Sequence, residues 1–136
     1  MHKGSLILQS KRSEINKLEN LLFTLNEFYK IDPERFVNFH IAASEALMNA
    51  IVHGNKESAE KRVYVDIFED ENSIELIIKD EGSGYDTSDI PDPTQNSNLY
   101  KDHGRGIFIM KSLTDGYECC PGEGGTTVKL KIMIKK

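Results

Sequence analysis

Glu45-Ala46-Leu47-Met48-Asn49-Ala50-Ile51-Val52-His53-Gly54-Asn55 is the stretch on which the fold turns. Its apolar residues follow helical spacing, and Glu45 and Asn49 stand four residues apart. Residues at i and i+4 share one face of a helix. An acid and a carboxamide projecting together from an Ala-, Leu-, Ile- and Val-rich helix need a polar partner. The stretch predicts a helix that packs on one side and presents two polar groups on another. Downstream, Asp80-Glu81-Gly82-Ser83-Gly84 ends a strand in an acid and two glycines. Glycine lets backbone come close to a ligand. A helix acid and amide with an acidic glycine loop form the polar skeleton of a nucleotide and metal site.

Working outward, Asp32-Pro33-Glu34 opens that helix with an N-cap acid, a proline at the first position and an acid in the first turn. The helix is expected to run to about Val52 and to stop at His53-Gly54-Asn55, with Gly54 as a left-handed C-cap. An earlier helix reads from Ser13, as its cap, to Tyr29, on the recurrence of Ile15, Leu18, Leu22 and Leu25. A short strand over residues 4–10 precedes it. Val63, Val65 and Ile67 alternate, as do Ile74, Leu76 and Ile78, with Asp70-Glu71-Asn72-Ser73 as the turn of an antiparallel hairpin. Residues 82–103 carry Gly82, Gly84, Pro91 and Pro93 and little periodicity, which predicts a long loop of functional kind. Helix returns over Gly104–Thr114. A last hairpin is expected from Gly116–Cys120, a turn Pro121–Gly125, and Thr126–Ile134. The order β-α-α-β-β-α-β-β predicts an α+β fold: two layers, a mostly antiparallel sheet with helices on one face.

The 136 residues fit one domain, spanning 1–136, and carry a net charge of −5. That charge disfavours a role in coating nucleic acid. No stretch approaches the roughly 20 apolar residues of a membrane span. No secretory leader is recognisable at the N-terminus. The cysteines, Cys119 and Cys120, are adjacent, so neither a Cys-X-X-Cys redox pair nor a zinc site is expected. A reducing cytoplasm is the plain reading.

Each candidate site residue carries a chemical expectation. Asn49 offers a neutral oxygen suited to Mg²⁺, which binds mainly through substrate phosphates and keeps waters. Glu45, one turn earlier, is placed to take a proton from, or orient, a hydroxyl or water attacking a terminal phosphate. Asp80 at a strand end can accept a hydrogen bond from the exocyclic amine of adenine. Gly82 and Gly84 would let the ring lie against the chain. Gly104-Arg105-Gly106 is read as a helix start, where free N–H groups and the positive dipole end bind phosphate. Arg105 adds a charge available to a phosphate, to solvent or to an acid. Thr126 either completes the adenine pocket through its hydroxyl or simply begins a strand. His53 and His103 lack metal-ligand spacing and read as structural or surface residues.

Together these blocks resemble the GHKL ATPase superfamily, which includes gyrase and the histidine kinases. Glu45–Asn49 matches its N box, Asp80–Gly84 and Gly104–Gly106 its two glycine boxes, and Gly125-Thr126 its last motif. Within it, Glu45–Asn55 and Gly104-Arg105-Gly106-Ile107-Phe108-Ile109-Met110 look most like the anti-sigma-factor serine/threonine kinases. The resemblance implies the Bergerat ATP-binding fold, an α/β sandwich with ATP and Mg²⁺ beneath a mobile lid at residues 85–103. It implies phosphorylation of a serine or threonine on an anti-sigma-factor antagonist, and alternate sequestration of an RNA polymerase sigma factor, usually by a homodimer. Two further readings are a non-catalytic ATP-binding partner-switch module and, more remotely, the detached ATPase domain of a histidine kinase. The absence of a dimerisation and phosphoacceptor helix pair ahead of the domain speaks against the last.

Overall fold

Apolar residues at every second position of each strand meet one another across the whole sheet. Leu6 stands opposite Val65, Val65 opposite Ile78, and Ile78 opposite Val128. One rung over, Ile67, Leu76 and Leu130 align in the same way. A one-residue slip would turn every one of these side chains to the other face, so the shared core pins the register. The strands are β1 (His2–Gln9), β2 (Arg62–Glu69), β3 (Ser73–Lys79), β4 (Gly116–Gly122) and β5 (Gly125–Met133). They form one sheet in the order β1-β2-β3-β5-β4, each neighbouring pair antiparallel. The computed structural model describes residues 2–82, 98–122 and 124–134, and the backbone alone for residues 98–105.

Helices α1 (Ile15–Tyr29), α2 (Pro33–Met48) and α3 (Asn98–Leu113) complete the described elements, with α2 in contact with both others. Leu18 and Leu22 of α1 and Phe36, Phe39 and Leu47 of α2 are buried in one cluster with Val63, Val65, Ile67, Ile74, Leu76, Ile78, Leu130 and Ile132. Burying each large side chain contributes about 1.5–3 kcal/mol. Ala42, Ala43 and Ala46 are buried too, and their small size lets α2 lie close to its neighbours. The α2 start follows the expected chemistry: Asp32 caps it by accepting from the Arg35 N–H, with Pro33 at the first position. Arg35 in turn pairs with Asp115 and donates to the Met133 carbonyl, tying the head of α2 to the end of β5. The β2–β3 turn is held by Asp70, whose carboxylate accepts from the Asn72 and Ser73 N–H groups and the Ser73 hydroxyl. Those bonds hold its carboxyl below the ordinary range, the Asn72 N–H contributing most.

Four local expectations need correction. Ser13 does not cap α1; a single 3₁₀ turn, Arg12–Glu14, leads in, and Glu14 accepts from the Gln9 N–H. Helix α2 ends at Met48 and passes into a π-helical segment, Asn49–Gly54. Gly54 is not a left-handed cap: the positive-φ positions after the helix are Lys56 (54°) and Glu57 (55°). Strand β4 runs on through Pro121, which its edge position tolerates because it pairs only with β5.

A further correction concerns α3, which starts at Asn98, so residues 98–103 are helix where a loop was expected, and Gly104-Arg105-Gly106 lie inside the helix. Residues 85–97 of the expected lid, and Gly84, fall outside the described residues.

Candidate functional site

Asp80, one residue beyond β3, is 3% exposed, and a buried carboxylate needs donors. Its Oδ1 accepts from the Gly82 N–H at 2.9 Å and the Thr126 N–H at 3.0 Å. Its own N–H donates to the Thr126 carbonyl at 3.0 Å, so residue and strand β5 are locked together. Burial raises the Asp80 pKa above its ordinary value, while the Thr126 and Gly82 N–H bonds and the nearby charge of Lys61 oppose the shift. The second oxygen, Oδ2, faces Gly54: a Cβ placed there would stand 2.2 Å from it.

Three glycines make this arrangement possible. A Cβ on Gly82 would fall 2.1 Å from the Gly54 carbonyl oxygen, and one on Gly125 would fall 1.9 Å from the Asp80 carbonyl oxygen. Gly125 also has φ +132°, a conformation that side chains disfavour. Gly82 therefore serves the approach of chain to chain around Asp80, where the sequence suggested an approach of chain to ligand.

On the helix side, Glu45 is half-buried on α2 and Asn49 is buried at the first position of the π-helical segment. Asn49 Nδ2 has no hydrogen-bond partner. Gly106 of α3 sits over both residues: a Cβ there would stand 3.2 Å from Glu45 Oε1 and 3.3 Å from Asn49 Nδ2. The expected pair of Glu45 and Asn49 is thus brought together on one face, and Gly106 reaches it from within a helix. Gly104 and Arg105 lie two and one residues earlier in the same helix. Thr126 is 2% exposed and its Oγ1, too, is buried without a partner. An orphaned buried amide and an orphaned buried hydroxyl each cost about 1–3 kcal/mol, which a ligand can recover.

Two residues had been read only as a helix stop. Gly54 forms the wall beside Asp80. Asn55, 1% exposed, donates to Ser10 Oγ at 3.0 Å and to the Arg62 carbonyl at 2.9 Å, and accepts from the Glu81 N–H at 2.7 Å. The signal was a polar residue ending an otherwise apolar helix, beside a glycine; its partners are remote in sequence and invisible to periodicity.

The histidine kinase-like ATPase domain family matches residues 12–132. Anti-sigma F factors of Bacillus thuringiensis (strain Al Hakam) and Bacillus anthracis (strain CDC 684 / NRRL 3495) are each 35% identical over 107 residues, covering 74% of this chain and 73% of theirs. Among solved structures, the RsbU and RsbW domains of Rv1364c from Mycobacterium tuberculosis superpose with a TM-score of 0.68 at 16% identity, over 96% of this chain and 32% of that one. The histidine kinase domain of the blue-light activated histidine kinase from Erythrobacter litoralis EL346 gives 0.58 at 18%, over 88% of this chain and 60% of that one. These two likenesses speak for the fold, a sheet with helices packed as described above, and the sequence matches speak for the lineage. The chain belongs to the histidine kinase-like ATPase domain family, in the branch that holds these anti-sigma F factors.

Proposed function

We propose that this protein is an ATP- and Mg²⁺-dependent serine/threonine protein kinase and anti-sigma factor, which phosphorylates an anti-sigma-factor antagonist and sequesters a sigma factor. The observation that carries the nucleotide part is the buried Asp80 carboxylate, with Oδ1 taken by two backbone donors and Oδ2 left beside the glycine wall. That geometry suits one more donor, such as the exocyclic amine of adenine. The orphaned Thr126 hydroxyl beside it and the orphaned Asn49 amide are further polar groups that a nucleotide would satisfy. The sigma-factor part rests on the anti-sigma F factor relatives, and the kinase part on Glu45 and the subfamily resemblance.

In this reading Asp80 selects the base, and Thr126 completes the adenine pocket. Asn49 would hold Mg²⁺ through its carboxamide oxygen; among the described residues no cluster of three His, Cys, Asp or Glu side chains offers a separate metal cage. Bound ATP and Mg²⁺ supply the phosphoryl group and the neutralising charge. Glu45 accepts the proton of the attacking serine or threonine hydroxyl. Gly82 and Gly84 would let the adenine ring lie against the chain, and Gly104, Arg105 and Gly106 would serve the phosphates. The protein acts in the cytoplasm, as a homodimer, through other proteins and without contact to membrane or nucleic acid.

One observation favours the alternative of a non-catalytic partner-switch module. Gly104–Gly106 lie inside α3, where backbone amides are spent on the helix itself and cannot cradle phosphates as a helix start would. The deciding experiment is a pull-down from the source cell with ATP and with ADP, followed by incubation of the captured antagonist with protein, Mg²⁺ and γ-labelled ATP. Label on a serine or threonine establishes the kinase; nucleotide-dependent capture without label establishes the module.

A further inference from the structure

Asp80 is anchored on one side only by β5. Its N–H and its Oδ1 are bound to Thr126, but the peptide that follows must also hold its orientation for the Gly82 N–H to reach Oδ1. That next peptide is fixed from elsewhere. The Glu81 N–H donates to Asn55 Oδ1, and Asn55 Nδ2 is itself fixed to Ser10 Oγ at the end of β1 and to the Arg62 carbonyl at the start of β2. Ser10 is 3% exposed and donates onward to the Lys61 carbonyl at 2.6 Å. The backbone N–H of Asn55 closes the π-helical segment on the Ala50 carbonyl at 2.8 Å. One buried side chain therefore joins the end of the Glu45–Asn49 helix, the edge of the sheet and the loop after Asp80. Its covalent neighbour Gly54 is the wall against Asp80 Oδ2.

We infer that Asn55 is a positioning residue for base selection: it holds the Asp80–Glu81 peptide, and its chain neighbour Gly54 with it, so that Asp80 Oδ2 faces the 6-amino group of a purine nucleotide. The inference rests on the adenine-binding reading of Asp80. The site asks for one acceptor and two donors in a water-free position, which a carboxamide supplies. A carboxylate would set acceptors against the Arg62 carbonyl, and glutamine is one methylene too long. Without Asn55 the Asp80–Glu81 peptide keeps only the anchorage of the Glu81 carboxylate on the Arg62 N–H and the Tyr64 hydroxyl, so it can tilt, the Gly82 N–H leaves Oδ1, and the carboxylate turns away from Gly54.

The test compares the affinities of ATP and of purine riboside triphosphate, which lacks the 6-amino group, by calorimetry on the whole chain. The wild-type protein is expected to prefer ATP by about 10- to 150-fold, the worth of one hydrogen bond to a charged group. In Asn55→Ala that ratio is expected to fall by roughly tenfold, ATP losing affinity while the analogue changes little. Asn55→Ser, too short to reach the Glu81 N–H, repeats the measurement where the alanine variant folds poorly. Ser10→Ala removes a neighbouring anchor only, and is expected to lower the melting temperature with the ratio intact. A wild-type preference that persists in Asn55→Ser overturns the role of Asn55 and leaves Asp80 as the base reader. A ratio that falls equally in Ser10→Ala overturns it as well, since general loosening then suffices. A wild-type ratio near one overturns the adenine reading, and this inference with it.

Discussion

Asp80 is a buried carboxyl, and its ionised form is carried at some expense to the fold. Burial raises its pKa above the ordinary 3.8, so the folded state binds its proton more tightly than the unfolded state does. Such a group stabilises the fold fully below its unfolded pKa, and that contribution is lost as pH rises through the raised value. In Asp80→Asn the oxygen can still accept from Thr126 and Gly82, while the burden of an ionised buried group is gone. Without nucleotide, the variant is expected to match the wild type near pH 3.5 and to exceed it increasingly toward neutrality, as urea titrations across that range will show. Its ATP affinity is expected to fall by about 1.5–3 kcal/mol, because the amide turns a donor toward the adenine amine; unchanged affinity in calorimetry would remove the adenine assignment. Glu45 gives the opposite profile. It stands with Asn49 and Gly106, a separate cluster from Asp80 and Thr126. Glu45→Ala is therefore expected to keep ATP affinity within about twofold and to slow phosphate transfer about 10²- to 10⁴-fold, the usual worth of a positioned base. Transfer at the wild-type rate would return Glu45 to a solvated helix face.

Elements succeed or fail in the sequence according to whether local chemistry decides them. The hairpin strands were legible because Val63, Val65, Ile67, Ile74, Leu76 and Ile78 alternate and every one is buried. The head of α2 was legible because Asp32, Pro33 and Glu34 act within one turn. The pairing of Glu45 with Asn49 followed from helical spacing, and the site does bring them together under Gly106. The start of α3 was misread because Gly104 and Gly106 look like a beginning, whereas Gly106 is bare to let α3 approach Glu45 and Asn49. The π-helical segment was hidden because Ala50 and Ile51 are buried in succession and carry no i+5 signature. Gly54 was assigned to backbone conformation when its cause is the Asp80 carboxylate, a contact no local pattern reports. Gly54→Ala separates these causes. A new Cβ 2.2 Å from Asp80 Oδ2 must displace it. The variant is expected to lose about 1–3 kcal/mol of stability by overpacking and to bind ATP more weakly. Asp32→Ala is the contrasting change: loss of the α2 cap costs about 0.5–2 kcal/mol and leaves ATP affinity alone. Melting curves and calorimetry on both variants check the pair, and a Gly54→Ala protein with normal ATP affinity would revive the cap explanation.

The proposed nucleotide site is assembled from nearly the whole molecule. Asn49 follows α2 at the head of the π-helical segment, Asp80 follows β3, Thr126 lies in β5, Gly106 comes from α3, and Asn55 ties them to the end of β1. None of these elements is a complete binding unit, so the unfolded chain has no comparable affinity for ATP. A ligand that binds only the folded state stabilises it by RT ln(1 + [L]/Kd), about 2.7 kcal/mol at a hundredfold excess over Kd. For a chain of 136 residues this corresponds to a rise in melting temperature of roughly 9 °C. The expected ordering among nucleotides follows from the groups around Asp80. ATP with Mg²⁺ should raise the melting temperature most, and purine riboside triphosphate with Mg²⁺ less, because Asp80 then lacks its donor. Asp80→Asn should abolish the difference between the two nucleotides by lowering the ATP response. Differential scanning fluorimetry at fixed ionic strength reads all of these in one series, and a constant salt concentration keeps the net charge of −5 from shifting the baseline. Equal shifts for both nucleotides in the wild type would mean that the fold recognises phosphates without reading the base, and Asp80 would then be a structural carboxylate locking β3 to β5.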